Sequence, residues 1–203
     1  MAPMSSIKPQ AGPPDAAAGL AAAHRRQLLD LAWSSIRQGL ANGRPVRVDP
    51  AEYPDALRRA AACFVTLHRR GALRGCIGHL SAVQPLAADV AENAFAAAFR
   101  DPRFPPLEAD ELEGLTLDIS VLGTPEPMQF RDEPDLLAQL RPGRDGLILE
   151  DGAARATFLP AVWESLPEPR RFFEELKRKA GLPRGYWSRN LTVSRYRTES
   201  FGD

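Results

Sequence analysis

The sequence predicts an α+β fold, with a largely antiparallel sheet packed with helices. Three observations carry that expectation. A chain of 203 residues with 44% hydrophobic content can bury a core as one domain or two tightly joined lobes. Its β-rich segments come mainly in hairpin pairs, and strand-helix-strand units are fewer. The glycine fingerprints of nucleotide-binding parallel sheets, G-x-x-x-x-G-K and G-x-G-x-x-G, do not occur.

The elements follow in order. Residues 1–18 are Pro, Ala, Gly and Ser without periodicity and are expected as a mobile tail, leaving 19–203 as the folded domain. A helix is expected from near Leu20, because Leu28, Leu31, Ala32, Ile36 and Leu40 recur at three- and four-residue spacing. Asn42-Gly43 and then Pro45 end it. Cys63 to His68 is β-branched and aromatic, Arg69 to Ala72 is a polar turn, and Leu73 to Leu80 returns as the second arm of a hairpin. Residues 86–99 form a helix with Leu86, Val90, Ala91, Ala94, Phe95 and Ala98 on one face. Three prolines within 101–106 forbid regular structure there. Leu115 to Leu122 alternates as a strand. A short helix covers about 134–140, and Asp151-Gly152 turns a second hairpin between 146–150 and 154–158. One or two helical turns at 160–166, a helix at 168–180 and a strand at 192–198 complete the chain.

Composition narrows the function. Twenty-six basic residues balance 26 acidic ones, which argues against a general polyanion binder and makes nucleic acid an unfavoured partner. No apolar run reaches the length of a membrane span. Of the basic residues 23 are Arg and only Lys8, Lys177 and Lys179 are Lys, a compositional bias that discounts any single Arg as a chosen one. The two cysteines, Cys63 and Cys76, make neither a disulfide framework nor a four-cysteine zinc site. The N-terminus lacks a charged segment followed by an apolar one, so a cytoplasmic location is expected. The histidines, His24, His68 and His79, have no local metal-pair spacing, and no metal site is expected.

The chemistry concentrates in Leu73-Arg-Gly-Cys-Ile-Gly-His-Leu80. Strand alternation sets Arg74, Cys76 and Gly78 on one face and Gly75, Ile77 and His79 on the other. Gly75 and Gly78 in a strand mark a bulge or a close approach by backbone or ligand. A cation beside Cys76 would favour its thiolate, the reactive form; the bland alternative is a buried structural thiol. Cys63 is expected in the core, opposite position 78, which makes a bridge to Cys76 unfavourable. Asp89, Glu92 and Asn93 read as a polar helix stripe, from which Glu92 facing Arg74 would build a polar site. Asp101 and Arg103, fixed among prolines, are either binding residues or a clasp between helix and strand.

These residues resemble the AMMECR-one domain family, whose bacterial and archaeal members are also called AmmeMemoRadiSam system protein A. The resemblance rests on Leu73-Arg-Gly-Cys-Ile-Gly78, Ala91-Glu92-Asn93-Ala94, Asp101-Pro-Arg-Phe104, Leu115 to Leu122, Thr157-Phe-Leu-Pro160 and Lys179-Ala-Gly-Leu182, over about 20–201. It implies a two-lobed α+β domain with N- and C-terminal segments joined in the larger lobe. It also implies a pathway shared with Memo-type and radical-SAM proteins, and names no reaction and no cofactor. His79 departs from the Thr that many members carry there. Two functions are expected to compete. In one, the protein is a thiol-dependent enzyme acting on a small molecule, with Cys76, Arg74 and Glu92 as catalytic residues and Gly75, Gly78, His79, Asp101 and Arg103 as binding residues. In the other, it is a non-catalytic partner or ligand-sensing subunit that docks through the same motif.

Overall fold

The computed structural model describes residues 19–203; the expected tail at 1–18 lies outside the described residues. The apolar stripe of Leu28, Leu31, Ala32 and Ile36 makes helix α1, Ala22–Asn42, and Gly43 closes it at φ 72, donating its N–H to the Gly39 carbonyl at 2.8 Å. After a four-residue helix α2, Asp55–Arg58, strand β1, Cys63–Arg69, turns back into β2, Ala72–Gly78. The two turn residues, Arg70 and Gly71, both have positive φ, the conformation that matches the twist of a two-residue hairpin. Helix α3, Leu86–Phe99, lies across β1 and β2, and its buried Ala87, Ala91, Ala94 and Ala97 let it approach closely. Strand β3, Leu115–Leu122, pairs with β1.

The second lobe begins with the two-residue strand β4, Glu126–Pro127. Helix α4, Glu133–Gln139, follows, then the hairpin of β5, Gly146–Asp151, and β6, Ala154–Phe158, and helix α5, Pro169–Lys179. Strand β7, Thr192–Tyr196, enters this lobe's sheet, and β8, Thr198–Gly202, returns to the first. The two antiparallel sheets run β2-β1-β3-β8 and β4-β7-β5-β6. The sequence pattern gives one closing strand at 192–198. The chain divides at Arg197, whose carbonyl accepts the Gly123 N–H at 2.8 Å, so one extended segment serves two sheets.

Both ends of the domain meet in the first lobe, as the resemblance implies. The Glu199 carboxylate accepts the Leu20 N–H at 2.8 Å and pairs with Arg25 at 2.7 Å, and Trp33 donates to Asp203 at 2.6 Å. Each lobe has its own core. Leu28, Ile36, Val65, Leu67, Val90, Leu117 and Ile119 fill one; Leu136, Leu147, Trp163, Phe172, Phe173 and Leu176 fill the other. Between them, Ala62, Leu122, Ile148 and Tyr196 pack with Phe64, Leu80 and Leu159 to join the lobes.

The register of the first hairpin fixes everything at the site. Leu67 faces Gly75 while its neighbour His68 faces Leu73, so Arg74 is the extra residue of a β-bulge. Beyond the bulge, alternation continues without interruption: Cys76 faces Thr66 and Gly78 faces Phe64. Cys63 is buried, and its carbonyl takes the His79 N–H at 3.1 Å. The bulge moves its expected partner from 78 to 79 and keeps it well away from Cys76.

Candidate functional site

Cys76 lies on the outer strand of its sheet, on the face away from α3. Phe64 and Thr66 share that face, and Phe64 packs at the joint with the second lobe. The thiol is partly exposed, and Thr66 Oγ1 donates to Sγ at 3.3 Å. An edge strand has main-chain groups without a strand to pair them. Here the loop 101–106 supplies side chains instead. Asp101 Oδ2 accepts the Cys76 N–H at 2.9 Å, and Arg103 Nη2 donates to the Cys76 carbonyl at 3.3 Å. Asp101 and Arg103 are themselves paired at 2.6 Å, and Asp101 also takes the Arg103 main-chain N–H at 3.1 Å. The proline-held pair thus clamps the backbone of Cys76 where a fifth strand would bind. Arg103 and the main-chain donors hold the Asp101 carboxyl well below the usual carboxylate range, against the opposing effect of burial.

Arg74 was expected beside the thiol. Its guanidinium turns at the bulge to a different partner, gripping both oxygens of Glu111 at 2.8 Å and the Pro105 carbonyl at 3.0 Å. Arg69 reaches the same carboxylate at 3.0 Å. Arg74 therefore braces the loop that carries Asp101 and Arg103, and the guanidinium at Cys76 is that of Arg103. Arg74, then burial working against it, then the Glu108 N–H set the Glu111 carboxyl, and the balance brings it from 4.5 down to about 2. A depressed folded-state pKa gives stability that is present above the unfolded value and lost as pH falls through the folded one. Between pH 7 and pH 3 this group should cost the protein ~1–2 kcal/mol after screening at this near-surface pair. Urea unfolding at the two pH values checks this: Glu111→Gln should narrow the difference by that amount, and an unchanged difference contradicts it.

In the other lobe a lysine braces an outer strand. Lys179, the last residue of α5, donates from Nζ to the Thr157 carbonyl of β6 at 3.0 Å and sits 5.2 Å from the Phe158 ring centre. Thr157 is held in turn by Tyr196, hydroxyl to hydroxyl at 2.8 Å, and by its own donation to the Leu147 carbonyl at 2.7 Å. Although Lys179 is open to solvent over much of its length, its ammonium is partly desolvated. Burial lowers its pKa from the usual value; Cys76 acts to raise it and Arg103 to lower it further.

The other expected residues gather elsewhere. His79 is on the α3 side of the sheet, as alternation requires, with Nδ1 2.5 Å from Asp89 Oδ1. Asp89 is fully buried; it accepts the Cys63 N–H at 2.9 Å and the Asn93 amide at 3.0 Å. Asp89 and Asn93 therefore point inward, where the end of β1 needs partners, and the expected exposed stripe reduces to Glu92. Glu92 is held by Gln84 at 2.8 Å and makes no contact with Arg74. Burial pushes the Cys63 thiol up, and Asp89 adds to this. The two motif glycines answer to packing. A Cβ on Gly75 would overlap the Ala97 carbonyl of α3, and one on Gly78 would meet the Cys63 carbonyl and the Phe64 ring. Neither needs a ligand to explain it.

Sequence reasoning missed Glu111 and Thr66, and no local signal in the sequence marks either.

The fold and this site define a class: two-lobed α+β proteins with a partly exposed cysteine on an outer strand. The AMMECR1 family model matches residues 29–201, and the chain belongs to that family. It is 36% identical over 182 residues to a protein of Methanothermobacter thermautotrophicus, covering 87% of this chain and 92% of the relative. It is 35% identical over 161 residues to a protein of Thermotoga maritima, covering 78% and 87%. The crystal structure of the uncharacterized protein PH0010 from Pyrococcus horikoshii is also similar. That match has a TM-score of 0.80 and 33% identity over 87% of this chain and 90% of the other. Among the described residues no helix is long and apolar enough to cross a membrane, and no three His, Cys, Asp or Glu side chains cluster as metal ligands.

Proposed function

We propose that the protein is a thiol-dependent enzyme acting on a small molecule, with Cys76 as the nucleophile. The observation that carries this is the clamp on Cys76: a partly exposed thiol whose own N–H and carbonyl are both fixed by the Asp101–Arg103 pair. Holding a reacting residue in place lowers the entropic part of a barrier. In the step envisaged, Sγ loses its proton to buffer and forms a bond to an electrophilic carbon as the leaving group departs with its electron pair. Asp101 and Arg103 position, and Arg74 and Glu111 brace them. We place the protein in the cytoplasm, in a pathway shared with Memo-type and radical-SAM proteins.

The test is peptide-mapped labelling of the folded chain with limiting iodoacetamide at pH 7.5. Cys76 should be modified at least ~10-fold faster than buried Cys63. Equal labelling, or an inert Cys76, refutes the proposal. One observation favours the alternative of a non-catalytic partner or ligand-sensing subunit: His79 and Glu92, expected among the site residues with Cys76, belong to the α3 side. That reading requires Cys76→Ala to leave the activity of a co-purified partner intact.

A further inference from the structure

We infer that the outer face of α5 is a docking surface for a short, extended, acidic segment of a partner protein. This surface belongs to the second lobe and uses no residue of the Cys76 site. Phe172, Phe173 and Leu176 turn one side of α5 into the second core. Positions 171, 175 and 178 recur at three- and four-residue spacing on the other side. There they line a groove of about 550 Å³ together with Glu168, Arg170, Glu174 and Arg184. From Arg170 to Arg178 the helix rises roughly 12 Å, the span of about four residues of extended chain.

The charges along this groove do not balance among themselves. Glu174 is committed on both oxygens, to buried Lys177 at 2.7 Å and to the Gly185 N–H at 3.4 Å, and Glu175 holds Arg178 at 2.6 Å. Arg170, Arg171 and Arg184 have no carboxylate within 4 Å among the described residues, which leaves three guanidiniums and one carboxylate, Glu168, uncommitted in the groove. A purely solvated helix follows the opposite rule: acids gather in the first turn, where the helix end is positive. The first turn of α5 has no acid and carries Arg170 and Arg171. The chain's bias towards Arg over Lys explains which cation stands there, and leaves unexplained why a cation does. An acidic segment laid along the groove supplies the missing counter-charge, because each forked guanidinium can take a carboxylate on two hydrogen bonds. Arginine is also enriched where protein partners dock. A nucleic acid suits the groove less well. Glu168, Glu174 and Glu175 line it too and would repel a continuous run of phosphates, which spaced carboxylates avoid.

The experiment titrates the isotope-labelled full chain at low ionic strength with an octapeptide of alternating Glu and Ser, and follows the backbone amide resonances. Saturable shifts centred on residues 168–184 are expected. Arg170→Gln, Arg171→Gln and Arg184→Gln together should weaken binding at least ~10-fold, whereas Arg26→Gln, Arg44→Gln and Arg144→Gln, which remove the same charge from exposed sites elsewhere, should change it by less than ~2-fold. Equal losses in the two triple variants would mean that net charge alone draws the peptide, and would overturn the inference. So would shifts centred outside 168–184, or an absence of saturation. Should the groove variant fail to fold, the location of the shifts in the unaltered protein decides. A thymidine oligonucleotide that binds the same residues more tightly than the peptide also overturns the inference, by making the groove a nucleic-acid surface.

Discussion

Gly75→Ala is expected to be among the most destabilising single-methyl additions in the first lobe, costing ~3 kcal/mol and lowering the melting temperature by roughly 6–12 °C. The new Cβ would overlap the Ala97 carbonyl oxygen and lie 3.0 Å from its carbon. That neighbour is helix backbone, so no rotamer change relieves the clash. Helix α3 must lift from β2, which opens the core around Ala94, Ala97 and Val90. The same displacement would disturb Cys76, one residue on. Differential scanning calorimetry of the variant checks this, and a melting temperature within 1 °C of the parent contradicts the packing described for β2 and α3.

Asp101→Ala is expected to cost ~2–4 kcal/mol. The carboxylate is buried and takes hydrogen bonds from the Cys76 N–H and from the Arg103 N–H, Nε and Nη2. Its removal leaves the Cys76 N–H without an acceptor and a guanidinium without its counter-charge. Arg103 is about half exposed and regains some water, which keeps the figure below that of a fully buried broken pair. Asp101→Asn retains one acceptor and should recover part of the loss. The carboxyl lies below its usual range, so its contribution is present above the unfolded pKa and disappears as pH falls. The gap between parent and Asp101→Asn in urea unfolding should therefore shrink on acidification from pH 7 to pH 3. A gap that widens contradicts the ion pair.

Much of this architecture was readable without coordinates, and the exceptions have physical reasons. Strict alternation from Leu115 to Leu122 and the alanine-rich face of 86–99 determine β3 and α3, because each carries a continuous apolar face into the first core. The prolines around Asp101 and Arg103 left two readings, binding residues or a clasp between helix and strand, and pointed to no partner; the pair's contacts run to the main chain of Cys76. The bulge at Arg74 carried no signal: an extra residue in one strand is defined by its partner's register, which local pattern does not encode. Glu111 stands among Glu108, Asp110 and Glu113, and spacing alone cannot select the one acid that meets Arg74. Asp89 and Asn93 obey the same helical spacing as Glu92, yet they turn inward because the end of β1 offers unpaired groups there. The division of 192–202 at Arg197 likewise follows from two sheets competing for one extended segment.

All of this converges on whether folding leaves the Cys76 sulfur available. The most direct measurement is the bimolecular rate of iodoacetamide with Cys76 at pH 7, resolved by peptide mapping, in the native protein relative to the urea-unfolded chain. The partly exposed position of Cys76 on its outer strand predicts a native rate at least equal to the unfolded one, with buried Cys63 suppressed by orders of magnitude. A native Cys76 rate ten or more times slower than the unfolded rate would mean that the fold shields this sulfur, and would contradict the account.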